Sequence, residues 1–209
     1  MPKTVDRDEQ RRQIGAALLQ LVAERGLDEV SVRTVAAATG RSPGAVQKYF
    51  STKDEMLTFA AELAGERVER RMAGVDTALP LRQALRELIL TTLPVDAERR
   101  AEATAQLAFA VRAAHDPGLA AIRRQVDQDI RQALTGWLES AGHTAHATAV
   151  ADAVIALSDG LALRMLYTPQ EHEHLLAALD RSLDALIPGP GPEPPHSSAG
   201  ASSCSASRR

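Results

Sequence analysis

Cysteine and aromatic residues are scarce in this 209-residue sequence, which has one cysteine, Cys204, and 3% aromatic residues. A single thiol cannot form an intrachain disulfide, which is typical of proteins from a reducing compartment. The sequence has no apolar signal core at its start and no run that approaches about 18 uninterrupted apolar residues. We therefore expect a cytoplasmic protein without a transmembrane helix. Because β-branched alternation is also absent, while alanine and leucine recur at helical spacing, we predict an all-α fold.

Motifs that bind nucleotides, activate a serine or hold zinc are absent as well. The sequence contains no Walker loop, GxSxG elbow, HExxH motif or dinucleotide fingerprint. His143 and His146 are three residues apart and Glu171 to His174 form a second cluster, but neither has the spacing of a recognised zinc motif. We therefore expect no enzymatic activity, no metal site and no cofactor.

The most informative stretch is Ser31 to Phe50, SVRTVAAATGRSPGAVQKYF. Ser31 is placed to cap a short helix, and Val30 and Val35 are placed to staple its start. Gly40 is typical of the position just past the end of a helix. The stretch therefore predicts a short helix that ends near Gly40.

A second short helix should follow almost at once. Ser42 is a favoured cap, and Pro43 has the fixed φ that suits the first helical position. About two or three residues would separate the two helices, which is the turn length of a helix-turn-helix unit whose second helix enters the major groove of DNA. From Ser31 to Lys53 the chain has no Asp or Glu and four basic residues, Arg33, Arg41, Lys48 and Lys53. This local charge favours phosphate contact, although a solvated helix pair in an ordinary bundle has the same pattern.

These residues resemble the signature of the TetR family of bacterial transcriptional regulators. The resemblance rests on Ser31-Val32-Arg33, Ala36 to Ala38, Gly40, Ser42, Gly44, Tyr49 and Phe50. Residues Ser51 to Met56 are similar to the family's entry into a fourth helix, with Thr52 and Glu55 placed as a capping box.

The resemblance implies a set of DNA-binding residues. It implies phosphate contacts near the rim of the groove and base contacts from Gln47 and Lys48. The full set is Arg33, Thr34, Arg41, Ser42, Gly44, Ala45, Gln47, Lys48, Tyr49 and Lys53. Ala45 stands where a Thr is frequent and Gln47 where a Tyr is usual, so the operator sequence does not carry over from a relative. Arg7, Arg11 and Arg12 precede this unit, and they are either further DNA contacts or a solvated helix end.

Helical spacing and helix breakers predict seven further helices. They span about residues 8–25, 53–75 and 81–93, then from the Asp96 cap to the break at Asp116-Pro117, from there to about Ala141, and about 144–167 and 169–187. We expect Ala101, Leu107, Ala108, Val111 and Ala114 to form the apolar face of the helix after Asp96, and Ile122, Val126, Ile130, Leu134 and Trp137 that of the next one. We predict a three-helix DNA-binding domain (1–52), a helical ligand-binding and dimerisation domain (53–187) and a Pro/Ser-rich tail (188–209) that does not fold.

Three segments further along resemble the subgroup whose C-terminal domain is similar to that of BetI. They are Leu93 to Arg100, Ala113 to Pro117 and Asp159 to Leu163. This resemblance implies a homodimer in which the last two helices of each subunit form a four-helix bundle. The interface residues expected from it are Ala149, Ala153, Ala156, Leu179 and Leu183, for which the alternative is a place in the protomer's own core.

The same resemblance implies an unidentified small-molecule effector among the later helices. The expected pocket residues are Leu63, Val68, Met72, Gln106, Phe109, Trp137, Asp152, Asp159 and Tyr167. So few aromatic residues argue against an aromatic cage for choline. Asp152 and Asp159 are seven residues apart and share a helix face, so they either attract a cationic ligand or pair with arginine or backbone groups. Trp137 is either part of the pocket or plain core.

Taken with the resemblance, the sequence predicts a DNA-binding transcriptional regulator. We expect a homodimeric repressor that a small molecule releases from a palindromic operator, with no membrane partner. The alternative is a small-molecule-binding or protein-interaction protein whose helix-turn-helix no longer binds DNA. The unusual Ala45 and Gln47 favour that alternative, and Lys48, Tyr49 and Lys53 argue against it.

Overall fold

The computed structural model describes residues 3–26 and 29–187, and these residues are helical with no β-strand. The all-α prediction is confirmed. The predicted tail lies outside the described residues. The helices, numbered in chain order, are α1 (Lys3–Arg25), α2 (Val32–Ala38), α3 (Pro43–Gln47), α4 (Lys53–Met72), α5 (Leu81–Leu90), α6 (Ala97–Ala113), α7 (Pro117–Ser140), α8 (Ala147–Tyr167) and α9 (His172–Leu186), with a 3-10 turn at Pro169–Glu171 before α9.

Helix ends follow local capping, with a few differences from the sequence prediction. α5 ends at Leu90 rather than near Leu93, because the hydroxyls of Thr91 and Thr92 donate to the last helical carbonyls. α8 begins at Ala147 rather than near residue 144, because His146 takes the left-handed conformation with φ 65°. Asp116 caps α7 by accepting from the backbone N–H groups of Gly118 and Leu119, as the break at this position predicts.

Buried side chains form two hydrophobic cores. The first joins α1, α2, α3 and the first three turns of α4, and it continues to Ala101 and Ala105 of α6. The second joins α5, α7, α8 and α9. α4 therefore leaves the helix-turn-helix region and packs along α6, which also contacts α7 and α8.

The buried face of α6 differs from the predicted one. Leu107, Val111 and Ala114 are exposed, whereas the buried residues are Ala101, Glu102, Ala105, Ala108, Phe109 and Ala113. α6 lies against both α1 and α4, and small side chains permit this close approach of helix axes. Leu107 and Val111 lie on the opposite side of α6 and face solvent in the protomer, whereas Phe109 is buried.

The apolar stripe of α7 is covered over only part of its length. Leu134 is buried and Trp137 packs against the second core, whereas Ile122, Val126 and Ile130 are exposed. The prediction of one continuous buried face is therefore wrong for its first three residues. Periodicity shows which residues share a face, but whether another helix covers that face depends on the tertiary arrangement.

Leu179 and Leu183 of α9 are fully buried in the second core of the protomer. A second subunit cannot contact side chains that have no accessible surface, so the prediction that these two residues lie in a dimer interface is wrong. The alternative, a place in the protomer's own core, is confirmed. Ala149 and Ala156 of α8 are exposed and Ala153 is half-buried.

Within the described part of the chain, no helix is both long and apolar enough to cross a membrane.

Candidate DNA-binding interface

The first helix of the helix-turn-helix is fixed by a reciprocal cap. The Ser31 hydroxyl accepts from the backbone N–H of Thr34 at 3.2 Å, and the Thr34 hydroxyl accepts from the backbone N–H of Ser31 at 2.9 Å. Val30 and Val35 are both buried in the first core. The predicted cap and staple are therefore confirmed, and they set the angle at which the chain enters α2.

The turn between α2 and α3 has four residues, 39–42, rather than the two or three predicted, because its first and last residues serve as caps. Gly40 has φ 64°, a left-handed conformation that glycine adopts without steric cost. The Ser42 hydroxyl accepts from the backbone N–H of Ala45 at 3.2 Å, and Pro43 takes the first helical position as predicted. The sequence thus determines where α3 starts.

Most residues of α3 are exposed to solvent and accessible to another molecule. Of its five residues only Val46 is buried, and Pro43, Gly44 and Gln47 are exposed, as is Lys48, which follows the helix. Ala45 is half-buried, and Tyr49 packs against the first core. The remaining rim residues Arg33, Ser42 and Lys53 are exposed.

No contact or backbone angle within the described residues explains why position 44 is a glycine. Its φ is not left-handed, and a Cβ built on it meets no atom within 4 Å. Glycine forms helices less readily than alanine, and no contact of Gly44 within the described residues requires a glycine here. A glycine at this position instead permits the close approach of another molecule to the helix backbone.

Two residues of the predicted DNA-binding set are turned inward. The Thr34 hydroxyl donates to the carbonyl oxygen of Glu29 at 2.9 Å and takes part in the α2 cap. The Arg41 guanidinium donates to the side-chain oxygens of Gln10 and Gln13 on α1. Thr34 and Arg41 therefore help to hold the helix-turn-helix together, and direct DNA contacts from these two residues stay a prediction. Helical spacing alone does not distinguish these inward side chains from outward ones.

The entry into α4 has half of the predicted capping box. The Thr52 hydroxyl accepts from the backbone N–H of Glu55 at 3.0 Å. The Glu55 carboxylate accepts from the backbone N–H of Ser51 at 2.7 Å, one residue before the cap. Glu55 thereby fixes the turn between α3 and α4 rather than the cap residue itself.

Two of the three α1 arginines that were candidates for DNA contact, Arg11 and Arg12, contact α4 instead, and a DNA contact from Arg7 stays a prediction. Arg12 forms an ion pair with Glu66 at 2.6 Å, and this hydrogen bond raises the pKa of Arg12 above its ordinary value. Arg11 lies over the rings of Phe50 and Phe59 and pairs with Glu55 at 3.3 Å. Sequence reasoning did not identify this arrangement, because the partners of Arg11 are some 40 or more residues away in the chain.

The predicted pocket residues fall into separate environments. Leu63 belongs to the first core and faces α1, whereas Trp137 packs against the second core. Val68 and Met72 of α4 are half-buried, Phe109 is buried, and the Gln106 amide donates to the carbonyl oxygen of Ala61 at 2.9 Å. Tyr167 is 63% exposed. The described structure does not bring all nine residues together, because Leu63 and Trp137 belong to different cores, and a role of these residues in ligand binding stays a prediction.

Asp152 and Asp159 share one face of α8 as predicted, and they line a shallow groove against α7 of about 290 Å³. Asp152 pairs with Arg131, and Asp159 lies 4.0 Å from Arg123. Desolvation raises the pKa of Asp159 above its ordinary value, Arg123 opposes the rise and Asp127 adds to it. Both residues therefore have the arginine partner that one alternative predicts, and a role in binding a cationic ligand stays a prediction.

Comparison with known proteins gives consistent matches along the chain. Residues 14–58 match the family described as bacterial regulatory proteins of the tetR family, and residues 80–188 match the C-terminal domain of BetI-type transcriptional repressors. The chain is 32% identical to the HTH-type transcriptional regulator PksA of Bacillus subtilis, over 81% of this chain and 84% of PksA. It is 27% identical to the HTH-type nicotine-responsive transcriptional repressor HdnoR of Paenarthrobacter nicotinovorans, over 82% and 89% of the two chains. The crystal structure of a transcriptional regulator from Rhodococcus sp. Rha1 superposes with a TM-score of 0.78 at 39% identity, over 85% of this chain and 95% of that one.

Proposed function

Because this chain belongs to the TetR family of bacterial regulatory proteins and is therefore a DNA-binding transcriptional regulator, we propose that it is a homodimeric repressor that a small molecule releases from a palindromic operator. The observation that carries the DNA-binding part of this proposal is α3. It is capped at its start, anchored by one buried residue, Val46, and exposed on the rest of its surface. In a helix-turn-helix unit the second helix presents its side chains to the major groove.

We assign base contacts and phosphate contacts to different parts of this surface. Gln47 and Lys48 lie at the exposed end of α3 and reach base edges. The residues assigned to phosphates surround them, namely Arg33, Ser42, Gly44, Ala45, Tyr49 and Lys53. Base contacts carry sequence specificity, whereas phosphate contacts fix register and orientation.

We propose a dimer because one short recognition helix contacts too few base pairs for specific binding, and a two-fold dimer doubles the length of the site. One exposed face of α8 has mostly small residues, namely Ala149, Ala156 and Gly160. This face ends in two larger exposed residues, Leu163 and Tyr167. α9 offers a parallel series of small residues, Ala178, Ser182 and Ala185. These faces suit a four-helix bundle between two subunits, and they replace Leu179 and Leu183 as the proposed contacts. A two-fold dimer would bind half-sites roughly 34 to 36 Å apart, or a multiple of that spacing.

The relative HdnoR is named as a nicotine-responsive repressor, which supports control by a small molecule. α4 connects the two ends of the protomer, because its first turn follows the helix-turn-helix and Arg67 and Arg71 near its end pair with Glu102 of α6. At about 1.5 Å per residue, a helix of this length spans roughly 30 Å. A ligand that favours one α4 angle would change the spacing of the two recognition helices. Ligand and operator would then oppose each other reciprocally, with a coupling of typically about 1 to 3 kcal/mol. The repressor would act in the cytoplasm, where the chromosome lies.

The experiment that tests this function is selection of bound fragments from random DNA with the purified full-length protein. We expect an imperfect palindrome. Replacing Gln47 with Ala should cost on the order of 1 to 3 kcal/mol at one base position of each half-site, and Lys53→Ala should weaken all sequences about equally. Recovery of no enriched sequence, with a folded protein, would favour the interaction protein over the repressor.

A further inference from the structure

Arg11 occupies an unusual position for a basic residue of a DNA-binding domain. Its guanidinium carbon lies 5.0 Å from the ring centroid of Phe50 and 4.7 Å from that of Phe59. The two rings are themselves in contact, with centroids 5.3 Å apart. A guanidinium over aromatic faces is attracted by the ring quadrupole, and a planar group stacks better than an ammonium.

The same side chain connects three elements. Arg11 belongs to α1, Phe59 to α4, and Phe50 to the turn that follows α3. Arg11 Nη2 donates to Glu55 at 3.3 Å, and the other carboxylate oxygen of Glu55 accepts from the backbone N–H of Ser51 at 2.7 Å. A continuous series of contacts therefore runs from α1 to the backbone of the turn that follows the recognition helix.

Close packing holds this arrangement in place. Gly15 lies one turn after Arg11 on α1, and a Cβ on Gly15 would stand 2.8 Å from the Phe59 ring. Phe59 is thus held against the backbone of α1 while Arg11 covers it. The Nε atom of Arg11 is buried and has no hydrogen-bond partner among the described residues. Turning Arg11 out toward DNA would lose both ring contacts and the ion pair.

We propose that Arg11 is a positioning residue, which sets the orientation of α3 relative to α1 and α4 and so determines operator affinity without contacting DNA. This inference rests on the proposed DNA-binding function. α3 has five residues and one buried side chain, Val46. Its own packing therefore constrains its orientation weakly, and the turns on both sides of it add to that constraint. If loss of Arg11 leaves about a tenth of the molecules with a competent orientation, the apparent operator affinity falls about tenfold.

The test compares Arg11→Met and Arg11→Lys with Arg33→Met, using full-length protein, the selected operator and a random duplex over a range of salt concentrations. Arg33 is exposed and is assigned to a phosphate. Losing one phosphate contact per subunit lowers the salt slope of a dimer by about two. For Arg11→Met we expect about tenfold weaker operator binding, with an unchanged salt slope and an unchanged affinity for random DNA. Arg11→Lys keeps the charge but not the planar stacking, so it should resemble Arg11→Met.

Two further controls keep the outcomes separate. Arg12→Met removes a neighbouring arginine that pairs with Glu66 and touches neither ring, and it should bind operator like the wild type. Circular dichroism and light scattering at each salt concentration show whether the variants remain folded with the wild-type oligomeric state.

A salt slope that Arg11→Met lowers and Arg11→Lys restores would make Arg11 a phosphate contact and overturn the proposal. Wild-type operator affinity in both Arg11 variants would also overturn it. If Arg33→Met also left the salt slope unchanged, the DNA surface rather than the role of Arg11 would be wrongly assigned.

Discussion

Gly44 shows at the scale of a single residue how a position can be determined by a partner rather than by the fold. A Cβ there meets no atom of the protein within 4 Å, and the residue is exposed at the start of α3. We expect Gly44→Ala to fold with equal or greater stability, by about 0.5 kcal/mol, because alanine restricts the unfolded chain. Its DNA affinity should nevertheless fall about tenfold, or 1.4 kcal/mol, if the added methyl group keeps a phosphate from the backbone.

Gly136 of α7 provides the matched control for this prediction. It is also an exposed helical glycine with open space around its Cβ direction, and it lies outside the DNA-binding region. Gly136→Ala should raise the free energy of unfolding by a similar amount and leave DNA binding unchanged. Urea denaturation and a DNA titration measure both effects. Wild-type DNA affinity in Gly44→Ala would show that no phosphate approaches this position.

Asp159 gives a pH-dependent prediction at the same scale. Desolvation raises the pKa of this carboxyl in the folded protein, although its side chain remains about two-thirds exposed. A raised folded-state pKa contributes stability below the unfolded pKa, and this contribution is lost as pH rises through the folded pKa. The melting temperature of Asp159→Asn should therefore exceed that of the wild type at about pH 7, and the difference should disappear near pH 3. Asp152→Asn, which loses the ion pair with Arg131, should show no such gain.

At the scale of helices, the far end of α4 is tied to α5 and α6 through a buried carboxylate. Glu102 of α6 is 2% exposed and pairs with Arg71 and Arg67 of α4, and Arg71 Nε also donates to the carbonyl oxygen of Thr91 at 3.1 Å. Replacing Glu102 with Leu leaves Arg71 partly buried without its carboxylate. We expect this variant to lose about 2 to 4 kcal/mol of unfolding free energy.

The double variant Arg71→Leu with Glu102→Leu should recover at least half of that loss, because replacing both charges of a buried pair by apolar groups is much less costly than removing one. Urea denaturation of the wild type, both single variants and the double variant measures the interaction energy directly. A loss in the double variant equal to the sum of the two single-variant losses would show that the pair does not hold α4 to α6.

At the scale of the whole molecule, the structure separates core leucines from surface apolar residues that a second subunit can bury. Leu163 of α8 is 43% exposed, whereas Leu179 of α9 is fully buried. We expect Leu163→Glu to give a folded monomer that loses specific operator binding. Leu179→Asp should instead unfold the second core, because it buries a charge without a partner. Light scattering and circular dichroism distinguish the two results, and a folded dimeric Leu163→Glu variant would remove this part of α8 from the interface.

Local sequence was sufficient for the features whose physical cause lies within one turn of chain. The caps at Ser31, Ser42 and Asp96, the left-handed glycine at position 40 and the start of α3 at Pro43 depend on hydrogen bonds and backbone angles among near neighbours. Amphipathic spacing gave the all-α class for the same reason, because helix periodicity is a local property. The family resemblance rested on this same stretch.

Tertiary structure alone decided which faces are covered and which distant groups meet. The spacing of Ile122, Val126 and Ile130 marks one side of α7, but no neighbouring helix among the described residues buries it in the protomer. Leu179 has the same apolar character and is fully buried, because α5 and α8 lie against α9. The contacts of Arg11 with Glu55 and Phe59 join residues 44 and 48 positions apart in the chain. Burial and charge pairing depend on distances through space, which the spacing of residues along one helix does not contain.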